Sequence, residues 1–324
     1  MQAYKKRGFW VGLGVFFLVI LSPNPESLSP IGWAVAAVTL LMAIWWATEA
    51  VPVAVTALLP LALFPLLQVT DFKAAALPYA NPNIYLFMGG FILALGIESS
   101  GLHKRLALKM LILVGNSGAK LVGGFMLVSA LISMWVMNTS TTLMLLPIGL
   151  AVCASVAETI PNFSAKQRKN FETSLLLGIA YAASIGGMST LVGTAPNIIF
   201  VGFMQETYGI EISFIDWMKL GVPIASIMLV ASWYTITKFV YPVNFVASME
   251  TKLQLRNMLT DLGPLGRDEK KVLVIFLFAA GAWMFRTLLD NFVPLSGLTD
   301  AGIAILAALS FFFIPSENNK TDLL

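Results

Sequence analysis

Five consecutive small polar residues, Asn138, Thr139, Ser140, Thr141 and Thr142, interrupt a charge-free stretch that runs from Leu121 to Ala157. They offer hydroxyls, a carboxamide and backbone amides. Such groups can hold a carboxylate or a hard cation, but they make poor general acids or bases. In hydrocarbon each uncompensated polar group is costly. The cluster must therefore line a cavity, face a partner or bind a ligand, and at membrane depth a polar interruption reads as a substrate or ion site. A second interruption lies inside the uncharged run Thr173 to Gln205, at Val192-Gly193-Thr194-Ala195-Pro196-Asn197. Proline removes a backbone donor and disfavours helix at the residue before it, and glycine permits unwinding. A helix broken there frees carbonyls, which suit Na+, and presents a half-helix N-terminus, which suits a carboxylate. A proline kink without a ligand is the simpler alternative. The pairing with the first cluster favours a site.

The elements that position these residues follow from composition. The 324 residues are 58% hydrophobic and 11% charged, with a mean hydropathy of +0.83. Soluble domains carry about 25% charged residues. The segments are continuously apolar rather than alternating, which argues for spanning helices over a β-barrel. A single cysteine, Cys153, excludes a disulfide framework, and a single histidine, His103, leaves little scope for a histidine metal site. The pI near 8.9 is better explained by basic cytoplasmic loops than by nucleic acid. No paired intramembrane carboxylates and no Ser/His/Asp arrangement argue for an enzyme.

Hydropathy predicts helices near 8–22, 30–50, 53–69 and 84–101, a special region at 119–157, a long run at 173–205, and further spans near 219–241, 272–289 and 299–315. No small-residue cleavage site follows the first apolar run, so 8–22 reads as a retained helix. With Lys5, Lys6 and Arg7 inside, all of the 20 basic residues except Lys73, Lys219 and Arg286 fall on the cytoplasmic side. That bias predicts a cytoplasmic N-terminus. Both flanks of 121–157 are basic, so the crossings between them must be even in number. The run is about 55 Å long as a helix, too long for one crossing and cramped for two. It predicts a re-entrant helical hairpin with its tip at Asn138–Thr142. The alternative is two ordinary spanning helices with a polar outer turn. Residues 102–114 read as an interfacial amphipathic helix.

Several pieces together resemble the divalent anion:sodium symporter family. They are Trp45-Trp46-Ala-Thr48-Glu49-Ala-Val-Pro52 with Thr56-Ala-Leu-Leu-Pro60, Asn81-Pro82-Asn83 through Gly89-Gly90, Gly101-Leu102-His103-Lys104-Arg105, the hairpin run, and Gly193-Thr194-Ala195-Pro196-Asn197. The resemblance covers about residues 30–240. It implies an inverted-repeat fold in which each repeat supplies a hairpin and a broken helix. It also implies sodium-coupled symport of a divalent anion, most simply a C4-dicarboxylate such as succinate or malate, by elevator-type movement in a homodimer of the inner or plasma membrane. By resemblance Asn138 and Thr139, with Ser140, would bind substrate carboxylate. Ser133, Met137, Asn138, Gly193, Thr194 and Asn197 would hold Na+. The tip reads Met137-Asn138-Thr139 where the family has serine first, so a hydroxyl is lost at Met137.

The same likeness divides the chain into scaffold helices at 1–110, half of a transport domain at 119–241, a cytoplasmic connector at 242–271 and scaffold helices at 272–315 that begin a second repeat. No second hairpin follows, so the C-terminal part of that repeat is expected to be missing. Two other expectations stand beside symport. One is a non-transporting remnant. The other is a sodium-independent dicarboxylate or citrate exchanger, or a sulfate transporter. The absence of Lys, Arg and His from both interrupted runs favours cations arriving with the substrate, because an unpaired dianion at the midplane is very costly.

Overall fold

A computed structural model of the chain describes residues 3–113, 117–160, 163–246, 249–289 and 297–314. The described residues are helical apart from loops and one isolated bridge, Ser117 to Val246. The chain divides into two compact units, Met1–Asn81 and Pro82–Leu324.

The first unit holds α1 (Ala3–Leu21), α2 (Pro30–Thr48), α3 (Val53–Ala57), α4 (Leu59–Leu66) and α5 (Phe72–Ala76), with a short 3-10 turn at Leu77–Ala80. Ser29 caps α2 by accepting from Gly32 N at 3.1 Å, with Pro30 in the first helical turn where its missing donor costs nothing. The helices α1 and α2 pack closely because Gly8 and Gly12 leave room for Thr48 and Trp45. The single helix expected over 53–69 is divided at Leu58, with Pro60 at the start of α4. Glu49 closes α2 in a left-handed conformation (φ 45°) and its carboxylate pairs with Lys5 at 2.8 Å. That pair ties the start of α1 to the end of α2.

The second unit contains α6 (Pro82–Ser99), α7 (Leu102–Leu113), α8 (Gly118–Ser133), α9 (Asn138–Thr159), α10 (Ala165–Gly187), α11 (Ala195–Tyr208), α12 (Phe214–Tyr234, continued by a π-turn to Val240), α13 (Met249–Asp261), α14 (Arg267–Met284), α15 (Arg286–Leu289) and α16 (Asp300–Phe313). Two apolar clusters organise it. One joins α7 to α10 with the end of α12 and α13, around Phe125, Met126, Phe171 and Leu175. The other joins α6, α11, α14 and α16, around Phe214, Trp283 and Phe311. Aromatic stacking tightens the second cluster. Phe214 and Trp283 lie parallel at 4.9 Å, and Trp135, from the turn between α8 and α9, stacks on Phe214 at 5.9 Å.

Two features fix the site's surroundings. The first is backbone contact between α8 and α10, where a Cβ on Gly186 would lie 2.2 Å from the Ala130 carbonyl oxygen. Such contact is how helices approach closely in lipid. The buried Ser129 hydroxyl crosses the same interface and donates to Ile179 O at 2.7 Å. The second is α8 itself, 16 residues long and so about 24 Å, short of a bilayer's hydrocarbon thickness of about 30 Å. Its partner α9 has 22 residues and is, among the described residues, one of four helices long and apolar enough to span.

Candidate binding site between two interrupted helices

The polar run is not a loop tip. Asn138 to Thr142 form the first turn of α9, and the turn from α8 is the preceding Met134–Met137. Thr141 N already reaches Met137 O at 2.9 Å, so the helix begins at Asn138. The second break also sits earlier than the glycine-proline motif alone suggests. The helix α10 ends at Gly187, residues 188–194 are non-helical, and Ala195-Pro196-Asn197 start α11 with proline in the first turn.

These two interruptions meet. The Ser133 hydroxyl, fully buried at the end of α8, donates to Asn138 Oδ1 at 2.7 Å. The Asn138 carboxamide lies against Gly187, where any Cβ would stand 2.4 Å from Oδ1. A Cβ on Gly193 would in turn stand 2.4 Å from the Gly187 carbonyl oxygen. Glycine is required at both positions because backbone and carboxamide occupy the space of a side chain. Asn197 staples the break by donating Nδ2 to Gly187 O at 2.9 Å and to Thr190 O at 2.7 Å. Its Oδ1 accepts no hydrogen bond among the described residues, which leaves an oxygen available to a cation.

The helix ends set the electrostatics. Ser117 and Ser164 cap α8 and α10 with their side chains. By contrast, α9 starts at Met137 and α11 at Thr194 with no side-chain cap. The first-turn amides of α9 and the Ala195 amide of α11 are therefore left for another acceptor, at the positive end of each dipole, whereas Pro196 has no N–H and Asn197 N already donates to Thr194 O at 3.2 Å. The Thr139 and Ser140 hydroxyls flank the α9 end and have no protein partner among the described residues. Met137 is 44% exposed, and its side chain contributes nothing a carboxylate or hard cation prefers. With no basic side chain on either interrupted run, the arrangement supplies oxygens for a hard cation and amides for an anion.

Of the residues singled out in the sequence, Ser133, Asn138, Gly193 and Asn197 are brought together directly. Thr139, Ser140, Met137 and Thr194 stand at the two helix starts. Sequence reasoning missed Thr190, Gly187 and Trp135. The sequence signal for Thr190 is a small polar pair, Ser189-Thr190, just before the glycine-proline motif in an uncharged run. Thr190 is completely buried, donates its hydroxyl to Met134 O and accepts from Gly193 N at 3.1 Å. It also missed Arg105, whose guanidinium is fully engaged by Glu269 and the carbonyls of residues 262–264.

The helices and the shared site define an all-α polytopic membrane protein in which two interrupted helices converge on one polar cluster. The profile described as the sodium:sulfate symporter transmembrane region matches residues 7–316, and the chain belongs to that family. This agrees with the resemblance to divalent anion:sodium symporters and with the expectation that the chain is no enzyme. Among its relatives is the sodium-dependent dicarboxylate transporter SdcS of Staphylococcus saprophyticus subsp. saprophyticus, 38% identical over 319 residues, which are 97% of this chain and 61% of the relative. Another is SdcS of Staphylococcus aureus strain USA300, 37% identical over 317 residues with the same coverage. The chain thus spans about 61% of the length of these curated relatives.

Proposed function

We propose that the protein takes part in sodium-coupled symport of a divalent anion, with a C4-dicarboxylate such as succinate or malate as the substrate class. The observation that carries this reading is the meeting of two uncapped helix starts, α9 and α11, around Ser133, Asn138, Gly193 and Asn197. The oxygens of Ser133, Asn138, Met137, Gly193, Thr194 and Asn197 are the Na+ ligands to draw on. The amides of the α9 start, with Asn138, Thr139 and Ser140, take the carboxylate. Na+ supplies the positive charge that neither run carries, so cation and anion bind together. The sodium-dependent dicarboxylate relatives support the choice of cargo.

Movement by an elevator, with residues 119–241 carrying the site and 1–110 and 272–315 as scaffold in a homodimer, belongs to the same proposal. So do a cytoplasmic N-terminus and a re-entrant hairpin built from α8 and α9. The 24 Å length of α8 supports the hairpin. The test is uptake of labelled succinate into proteoliposomes under an inward Na+ gradient, with unlabelled sulfate and citrate as competitors. For a protein that carries this chain together with a second hairpin, accumulation that disappears when K+ replaces Na+ is the expected result, whereas the 324 residues alone are expected not to accumulate succinate. Equal uptake in K+ overturns coupling, and stronger competition by sulfate than by malate overturns the substrate class.

A further inference from the structure

We propose that Thr190 is the positioning residue that sets the spacing between the two interrupted helices, and through it the affinity for Na+. The inference rests on the sodium-site reading above. Thr190 lies in the break between α10 and α11, and no part of its surface is exposed. A threonine hydroxyl has one hydrogen to donate and lone pairs to accept, and both capacities are used here. It donates to the carbonyl of Met134, 56 residues away, the first residue of the turn that leads into α9. It accepts from the amide of Gly193, two residues before α11 begins. The backbone carbonyl of Thr190 is held as well, by Asn197 Nδ2 at 2.7 Å.

The buried Thr190 side chain therefore ties the end of α8 to the loop 188–194, and its backbone carbonyl ties that loop to the start of α11. Most other contacts across this junction are steric, with Asn138 against Gly187 and Gly193 against the Gly187 carbonyl. These limit how close the two breaks come but do not stop them separating. The Thr190 hydroxyl is the tether that does. Na+ ligation from both sides needs oxygens held at fixed separation, because a hard cation loses affinity when a ligand moves out of its shell. Removing the hydroxyl also leaves Met134 O and Gly193 N unpaired in a buried site, so the two segments gain a reason to move apart.

Ser129 provides the comparison. It too is fully buried, and its hydroxyl likewise ties α8 to α10 by donating to Ile179 O at 2.7 Å. It does so between two continuous helices and touches neither break. A role that is merely structural would make the two hydroxyls equivalent.

The experiment measures Na+-dependent thermal stabilisation of the purified protein in detergent, titrated with NaCl at constant ionic strength against KCl. Thr190→Val keeps the shape and removes the hydroxyl, Thr190→Ser keeps the hydroxyl, and Ser129→Ala is the control. Loss of one buried, paired hydroxyl is expected to weaken half-saturation by Na+ about tenfold in Thr190→Val. Thr190→Ser and Ser129→Ala are expected to stay within about threefold of the parent even where their melting temperatures fall. Where Thr190→Val is not recovered folded, Thr190→Ala carries the same expectation without an added methyl. A parent protein with no Na+-specific stabilisation overturns the sodium site itself. A parent that responds, with Thr190→Val or Thr190→Ala responding at the same Na+ concentration, overturns the role of Thr190 alone.

Discussion

Asn138 is where residue chemistry is most concentrated. Its Oδ1 takes the Ser133 hydroxyl and its carboxamide rests on Gly187. Asn138→Ala removes both an oxygen and an amide donor, which no neighbouring residue type can replace together. In a protein that carries this chain together with a second hairpin, Na+-dependent succinate uptake is expected to be lost in that variant, and uptake at the parent's rate and Na+ dependence would remove Asn138 from the site. Met137→Ser should retain uptake with equal or lower half-saturation by Na+, because it adds a hydroxyl at an exposed helix start. His103 makes a different prediction. Its Nδ1 lies 3.0 Å from Ile97 O, which can only accept, so Nδ1 carries the hydrogen and Nε2 is a bare lone pair. That nitrogen is buried without a partner among the described residues. Burial pushes the imidazole below its ordinary value of 6.5. The unfolded chain then binds a proton that the folded chain resists. The contribution to stability is complete above pH 6.5 and shrinks as pH falls below it. Melting temperatures at pH 7.5 and 5.5 test this, with His103→Gln expected to flatten the difference.

At the scale of elements, two packing devices hold the site's frame. Gly186 lets α10 touch the backbone of α8 at Ala130. Because the opposing atoms are backbone, they cannot swing aside. Gly186→Ala is expected to destabilise by about 1–3 kcal/mol or more through overpacking, read as a lower denaturation midpoint. An unchanged midpoint would mean that the two helices separate freely. The second device joins α7 to the start of α14. Arg105 reaches both Glu269 oxygens, at 2.7 and 3.0 Å, and three carbonyls of the preceding loop, while Glu269 also accepts from Gly266 N at 2.7 Å. Burial alone would raise the Glu269 carboxyl. The hydrogen bonds from Arg105 and Gly266 and the charge of Arg105 outweigh it and hold the group below its ordinary range. Its stabilisation is present above pH 4.5 and lost as pH falls through the lowered folded value. Glu269→Ala leaves a buried guanidinium unpaired and should cost about 3–5 kcal/mol. The double variant Arg105→Met with Glu269→Leu should recover part of that loss in the same unfolding measurement.

For the whole molecule, orientation is the property with the widest consequences. The basic flanks of α8 and α10 at Lys120 and Lys166 place both ends of the α8–α9 pair on one side in the proposed topology. Single cysteines at Lys120 and Lys166 should react with a membrane-impermeant reagent only after the cytoplasmic face is opened. Native Cys153 is buried and stays silent. Labelling of one position alone from outside intact cells would place the two ends on opposite faces and overturn the even number of crossings, and labelling of both would overturn the cytoplasmic placement of the pair.

Membrane residence, helical class and the existence of two interruptions were legible in the sequence alone. Each follows from a local property: long apolar runs, basic flanks, and glycine, proline and small polar residues where no helix or lipid tolerates them without compensation. Asn138, Gly193 and Asn197 could be chosen for the same reason. What the chain order could not express is contact across 56 residues. Thr190 looks like one more hydroxyl in an apolar stretch until its partner, Met134 O, stands beside it. Gly187 has no sequence motif of its own, and only the Asn138 carboxamide above it explains the missing side chain. Arg105 and Glu269 lie 164 residues apart in sequence, and as isolated charges they read as solvated. The start of α9 at Asn138, one turn earlier than a polar tip implies, was likewise decided by packing, because the turn Met134–Met137 is fixed by Trp135 in the aromatic stack and by the Thr190 hydroxyl. Local composition determines which segments must be helical and which must be broken. The distances between broken segments depend on tertiary packing, and those distances set how a cation and an anion can be held together.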